Sequence, residues 1–286
     1  MNFYLTAILL GLGFSAMAMG IFISMRIFNI PDITTDGSFT LGGAVTAVLI
    51  TSNYPVVAII PIVFVAGAIA GSITAFIHTR LKVNALLSGI LVMTALYSVN
   101  LAIMGRSNIP LIATDTIFPE ITGMSELQSR MIVLLIVTAI IFLWLTYLLK
   151  TDFGLAMRAT GNNEQMVRSL GVNTSLMKIT GLALANGLTA LSGYLIVQLQ
   201  GFADIGMGIG IVILGLGSVM IGEIILKLMD VRNIALHILG VIAGTIVFRL
   251  ILAFALSIGI DALYLKLVVA LFVLAVVSIP NLKRSQ

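Results

Sequence analysis

The sequence predicts an all-α fold, a polytopic bundle of transmembrane helices, and three observations carry that prediction. Of the 286 residues, 60% are hydrophobic and 9% charged, whereas a soluble globular chain carries about 25% charged residues. Apolar runs of roughly 20 residues, the length a helix needs to cross hydrocarbon with every backbone amide paired internally, recur along the whole chain. No polar stretch between them is long enough to fold by itself, so residues 1–286 read as one transmembrane domain.

In order, the runs are 3–25, 55–77, 85–104, 131–149, 177–199, 207–226, 234–258 and 263–280, giving eight expected spans. The first, Phe3 to Met25, lacks a basic leader and a small-residue cleavage site and reads as a retained span rather than a signal peptide. A ninth run, Ser38 to Ile50, has only about 13 residues, short for a full crossing, and is expected to be a broken or re-entrant helix. It follows Asn29-Ile30-Pro31-Asp32-Ile33-Thr34-Thr35-Asp36-Gly37, a polar stretch rich in helix breakers.

The chain carries 15 Lys and Arg against 11 Asp and Glu. In a membrane protein this excess is read as topology rather than as a nucleic-acid footprint, because short cytoplasmic loops hold more cations than external ones. Placing Lys283 and Arg284 inside makes the C-terminus cytoplasmic, and walking back puts Lys227 and Arg232, then Lys150, Arg158 and Arg168, then Arg80 and Lys82 on the same side. The 105–130 loop, with Asp115, Glu120 and Glu126, falls outside. The side of the N-terminus depends on whether 38–50 crosses and stays open.

The most polar interhelical region, about 150–176, contains a small helix. Asn162 or Asn163 can cap it, Glu164 sits in the first turn, Arg168 in the last, and Gly171 offers a left-handed stop. Met166 and Leu170 share a face at i, i+4, with Val167 beside them. So short a helix is unstable alone and must lean on its own bundle or on a second protein.

Here the chain resembles a known family. Arg158-Ala159-Thr160-Gly161-Asn162, Ser169-Leu170-Gly171-Val172-Asn173 and Gly181-Leu182-Ala183-Leu184-Ala185-Asn186-Gly187-Leu188 are similar to ABC importer permeases of the branched-chain amino-acid and ribose type. Gln200-Gly201-Phe202-Ala203-Asp204, Gly208-Ile209-Gly210, Ile221-Gly222-Glu223 and Asp36-Gly37-Ser38-Phe39-Thr40 resemble a subgroup of uncharacterised or tryptophan/tyrosine-type transport permeases.

The resemblance implies that 158–173 holds a coupling helix docking on a cytoplasmic ATPase, with Arg158, Asn162, Asn163, Glu164, Met166, Val167, Arg168, Leu170 and Gly171 as coupling residues. It also implies an extracytoplasmic binding protein, a second permease copy as homodimer partner, and placement in the cell's inner membrane. The chain has no G-x-x-x-x-G-K-[ST] phosphate loop. The expectation is therefore that it is no enzyme, has no catalytic residues and binds no cofactor, with ATP and Mg held by the partner ATPase.

A second candidate site is the solute path at Asp36, Ser38 and Thr40, with Phe39 among them: polar groups at the start of a short apolar helix, where free amides favour anionic ligands such as carboxylates. The competing reading is a loop in which Asp36 or Ser38 merely caps the helix. Two ionisable residues fall within apolar runs, Glu223 and Arg249. Glu223, one turn from Lys227, is expected in a structural ion pair, and Arg249 is expected to pair with Asp261 or Asp204 or to meet a substrate carboxylate.

With no cysteine and isolated His78 and His237, no metal site is expected. The pairs Gly67/Gly71, Gly206/Gly210 and Gly240/Gly244 occur at about the frequency chance allows and identify no interface by themselves. A weak echo aligns Asn84 with Asn233, each after a basic turn. An ion-coupled secondary transporter is the runner-up, but Asp36, Glu223 and Arg249 are too few and too scattered to favour it. Amino acid, purine, nucleoside and sugar all stay open as substrates, with an amino acid, and an aromatic one, suggested by the resemblance.

Overall fold

The computed structural model describes residues 2–112, 114–119, 125–228 and 233–282. Glu120, Arg232, Lys283 and Arg284, which carry part of the orientation argument, lie outside the described residues. The chain is a helical bundle whose middle is formed by α1 (Asn2–Ile21) and α8 (Thr174–Gln200), both largely buried. Around them lie α2 (Thr34–Thr51), α3 (Val56–Arg80), α4 (Ala85–Met104) and α5 (Glu126–Lys150). The short helices α6 (Asp152–Asn162) and α7 (Glu164–Ser169) lead into α8. On the far side of α1 sit α9 (Ile211–Leu228) and α10 (Ile234–Ser257), and α11 (Leu265–Leu282) packs on α9.

Polar side chains start the helices wherever local sequence permits. Asn84, Thr151, Asn163, Asn173 and Asn233 each accept a backbone N–H in the first turn of the helix that follows. Ser125 and Gln128 form a reciprocal capping box at α5. Asn84 and Asn233, the two residues aligned by the weak sequence echo, are thus both N-caps after a basic turn.

Helix packing depends on glycine. A Cβ on Gly71 would lie 2.1 Å from the Leu182 carbonyl oxygen, one on Gly42 2.0 Å from that of Ala190, and one on Gly20 2.3 Å from that of Ala185. Backbones of α3, α2 and α1 therefore touch α8 directly, as small residues allow in membrane helices. Gly67/Gly71 marks the α3–α8 seam and Gly240/Gly244 the α9–α10 seam, so two pairs that chance could explain are real interfaces. Gly206/Gly210 lies in the turn before α9 and is none.

Among the described residues, six helices are long and apolar enough to cross a membrane: Phe3–Ile27, Val56–Arg80, Ala85–Met104, Glu126–Lys150, Thr174–Gln200 and Ile234–Ser257. The expected eight spans are not confirmed. The glycine-rich turn 205–210 delays α9 to Ile211, and the apolar part of α11 runs only from Leu265 to Val276. On α3, Ile62, Val65, Ile69, Ile73 and Phe76 form one exposed stripe, the face a bilayer would cover.

Two expectations change. The short run at 38–50 is one unbroken helix that begins four residues earlier, at Thr34, because Asp32 and the threonines after it bond within the fold. The irregular helix is instead α1, which ends in a π-helical turn, Phe22–Ile27. The bundle is also not purely helical. Gly105 and Gly201, both at positive φ, end α4 and α8 and turn the chain into two short antiparallel strands, β1 (Asn108–Pro110) and β2 (Phe202–Asp204).

Gly71→Val should force α3 away from α8 and lower stability by about 1–3 kcal/mol, the usual cost of overpacking. Thermal unfolding of the detergent-solubilised chain measures it, with Ser72→Ala expected to stay near wild type.

Candidate solute-path site

The site is built around the first turns of α2. Asp32, just before the helix and 1% exposed, accepts from the Thr34 amide at 3.0 Å and from Asn186 Nδ2 of α8 at 2.7 Å. Asn186 Nδ2 also donates to the Leu182 carbonyl, and its Oδ1 accepts from Ser38 Oγ at 2.7 Å. Thr34 and Thr74 share a hydroxyl bond, tying α3 to the same network. Every polar group in this buried cluster has a partner, as burial demands.

One turn on, Asp36 reaches across the bundle. Its carboxylate accepts from the backbone N–H of Gly210 and of Val212, both at 2.9 Å, at the start of α9. No local side chain caps α9, so the cap comes from another helix, where a carboxylate also suits the positive end of the dipole. Gly208 makes this approach possible, since a Cβ there would fall 2.0 Å from the Asp36 carbonyl oxygen.

Beside Asp36 opens a cavity of about 270 Å³ lined by Asp36, Gly37 and Thr40 of α2, by Met93, Thr94, Tyr97 and Asn100 of α4, and by Ile205, Gly208 and Ile209. The four path residues expected from sequence therefore divide. Asp36 and Thr40 line the cavity, whereas Ser38 and Phe39 face the opposite side of α2, 0% and 1% exposed. Ser38 is held by Asn186, and Phe39 stacks on Phe14 at 5.6 Å, so neither lines this cavity. Asp36 and Thr40, at i and i+4, share a helix face and Ser38, at i+2, falls on the other, while Phe39 is turned away by its stack on Phe14.

The 150–176 region folds as two helices. Asn163, not Asn162, caps α7 by accepting from the Met166 amide at 3.0 Å, and Gly171 follows at φ 84°. The expected apolar face breaks up: Met166 and Leu170 are 55% and 71% exposed, but Val167 is buried at 3% against the chain's own helices. Glu164 is bonded by Lys178 Nζ at 2.6 Å, Arg168 at 2.8 Å and the Thr174 hydroxyl at 3.1 Å, which locks α7 to α8. The Lys178 hydrogen bond holds the Glu164 carboxyl below its ordinary value, against the opposing effect of desolvation. Arg158 and Asn162 line a separate 190 Å³ cavity with Arg26 and His237, beside the π-helical turn.

Both intramembrane charges have partners other than those expected. Glu223 pairs with Arg26 of that turn, not with Lys227. Arg249 lies over the Phe14 ring, 3.9 Å from its centre, a cation–π contact rather than an ion pair. Among the described residues no ion pair joins Arg249 to either expected carboxylate; Asp204 accepts from the Gly206 amide and Asp261 from that of Leu263.

Asp32, Asn186, Asn100 and Tyr97 were given no site role from sequence. The signal was present in the two asparagines, since an amide within an apolar run is costly unless a specific partner satisfies it.

An apolar helical bundle around a largely apolar cavity with Asp36, Thr40 and Asn100 among its lining residues, and with a small helical corner projecting at one end, is the architecture of a transporter's membrane subunit. The chain belongs to the family of the permease component of branched-chain amino-acid transport systems, whose pattern matches residues 3–278, and is thus an ABC transporter permease. It is 38% identical over 272 residues to the tyrosine transport system permease protein of Clostridioides difficile, covering 95% of this chain and 89% of that one. An uncharacterized protein of Rickettsia prowazekii is 35% identical, with 99% of each chain covered. The ribose import permease of Haemophilus influenzae is 25% identical over 87% of this chain and 76% of its own. Among solved structures, one described as a metal-chelate type ABC transporter in an inward-facing conformation shares the fold, with TM-score 0.53, 13% identity, and 98% of this chain and 85% of that one covered.

Asn186→Ala takes one of its two buried bonds from Asp32 and leaves Ser38 without a partner, and should cost about 1–3 kcal/mol, read as loss of thermal stability in detergent. For Glu164, a depressed folded pKa means that its stabilisation is complete above the ordinary carboxylate value of 4.5 and is lost as pH falls through the folded pKa. Protection of the 163–172 amides from hydrogen exchange, relative to the intrinsic rate at each pH, should therefore be constant from neutral pH to 4.5 and fall only below it, and Lys178→Met should move that fall to higher pH.

Proposed function

We propose that this permease forms the membrane path of an ATP-driven importer for an amino acid, an aromatic one first, in the cell's inner membrane. It works as a homodimer with its C-terminus cytoplasmic, is fed by an extracytoplasmic binding protein, and is powered by a separate ATPase that holds ATP and Mg. The observation that carries this reading is the largely apolar cavity between α2, α4 and the 205–209 turn, with Asp36, Thr40 and Asn100 among its lining residues. The likeness to a tyrosine permease over nearly the whole chain supports the substrate.

In this reading α7 is the coupling element. Met166 and Leu170 are large apolar side chains left in the open on a helix that the Glu164–Lys178 and Glu164–Arg168 bonds hold rigid. They dock in the ATPase, while Val167 anchors α7 to the permease. Closure of two ATPase copies draws two such corners together and shifts the balance between states of the path, because the ATPase contacts the two states differently.

Two experiments test this. Leu170→Asp should weaken retention of the ATPase on the purified permease by about tenfold, the scale of a buried interface anchor, and Arg168→Ala by much less. Wild-type co-purification of Leu170→Asp would remove α7 from the coupling role. In cells expressing permease, ATPase and binding protein, Asp36→Asn should lower L-tyrosine uptake by about tenfold, the scale of one charge-assisted hydrogen bond, without loss of permease from the membrane. Wild-type uptake would remove the α2 cavity from the path.

A further inference from the structure

Asn100 of α4 is 1% exposed, lines the α2–α4 cavity, and its Oδ1 has no hydrogen-bond partner. Its orientation is settled by the other half of the amide: Nδ2 donates to the Gly37 carbonyl at 3.2 Å, and a carbonyl can accept only from nitrogen here. The free atom is therefore the oxygen, an acceptor, buried where leaving it unmet costs about 1–3 kcal/mol.

The other polar groups of the cavity point the same way. Thr40 spends its hydroxyl hydrogen on the Asp36 carbonyl at 3.1 Å, and Thr94 spends its own on the Ile90 carbonyl at 2.8 Å. What each leaves toward the cavity is lone pairs. Asp36 brings a carboxylate, whose two backbone bonds leave further lone pairs unused. Among the described residues, no Lys, Arg or His lines the cavity. The one uncommitted hydrogen on a lining side chain, among the described residues, is that of the Tyr97 hydroxyl, on a ring 52% exposed at the mouth. The walls are otherwise apolar, from Met93, Ile205 and Ile209.

A cavity that offers acceptors and one negative charge, with apolar walls, selects a cationic hydrogen-bond donor carried on an apolar body. We propose that it binds the ammonium group of the passing solute, with Asn100 Oδ1 and the Asp36 carboxylate as the two acceptors and Met93, Tyr97 and Ile209 against the solute's apolar part. This rests on the reading of the chain as an amino-acid permease and deepens it: the ammonium is read by the permease itself, and the solute's carboxylate is not read in this cavity. It also reverses the expectation from sequence that the start of α2 would attract a carboxylate. At the start of α2 the Thr34 amide is already taken by Asp32, and at the start of α9 those of Gly210 and Val212 are taken by Asp36.

The chain has no cysteine, so Tyr97→Cys places one thiol at the mouth of the full-length permease in membranes. Trimethylammonium-ethyl methanethiosulfonate should modify it about tenfold faster than the sulfonate-ethyl reagent, after each rate is normalised to a free thiol, since a cleft of one sign concentrates the opposite charge. L-Tyrosine and tyramine at millimolar concentration should both slow the modification, and 3-(4-hydroxyphenyl)propionate, which lacks the ammonium, should not. Asn100→Leu should abolish protection by tyramine, whereas Asn100→Asp, which keeps an acceptor oxygen, should retain it. Because Asn100→Leu also loses the Gly37 bond, the reagent ratio in the Tyr97→Cys chain with Asn100 intact serves as the independent readout. Equal reagent rates, or protection by the propionate and not by tyramine, would overturn the ammonium site even if the cells still take up tyrosine. Charge selectivity and tyramine protection in a chain that carries no tyrosine would uphold the site and overturn the substrate.

Discussion

Asn186 donates to Asp32 and to the Leu182 carbonyl while accepting from Ser38, and through this one amide the start of α2 is fastened to the middle of α8. The bond set is demanding because it is fully buried: Asn186 and Ser38 are each 0% exposed. The helices could not come close enough to make it without bare backbone beside it. Gly67, Gly71, Gly42 and Gly193 supply that, each set against a carbonyl of the neighbouring helix. Everything else at the site follows from where α2 is pinned. Its other face then presents Asp36 to α9 and Thr40 to the cavity.

Much of the fold was legible in the sequence because bilayer helices are long, apolar and spaced by polar turns. Six of the apolar runs are helices that fit a crossing. What local reading missed was long-range. Thr34 to Gly37 looks like the end of a loop, and only the bonds from Asp32, Thr74 and Asn186 make it helix. The start of α9 looks apolar from 207 onward, but glycines at 206, 208 and 210 keep that stretch as a turn fitted against α2. The strands β1 and β2 are three residues each and far apart in sequence, too short for any periodicity to register.

The candidate site was half legible for the same reason. Asp36 and Thr40 were found because polar residues at a helix start stand out, and Ser38 and Phe39 were carried along because adjacency in sequence is not a shared face on a helix. Glu223 and Arg249 were rightly singled out as unusual, but their partners come from α1, which sequence distance hides: Arg26 for the one and the Phe14 ring for the other. In α7 the same effect separates Val167, which turns inward, from Met166 and Leu170, which do not.

The cap that Asp36 places on α9 makes mechanical partners of two helices 174 positions apart. Pulling them apart would cost both charge-assisted bonds at once. The opposite wall of the cavity is under no such restraint. Among the described residues, α4 is tied to α2 by a single side-chain hydrogen bond, from Asn100 to the Gly37 carbonyl, and otherwise by apolar packing. The two halves of that one amide are thus divided: its nitrogen holds α4 to α2, and its oxygen is the atom left unmet beside the cavity.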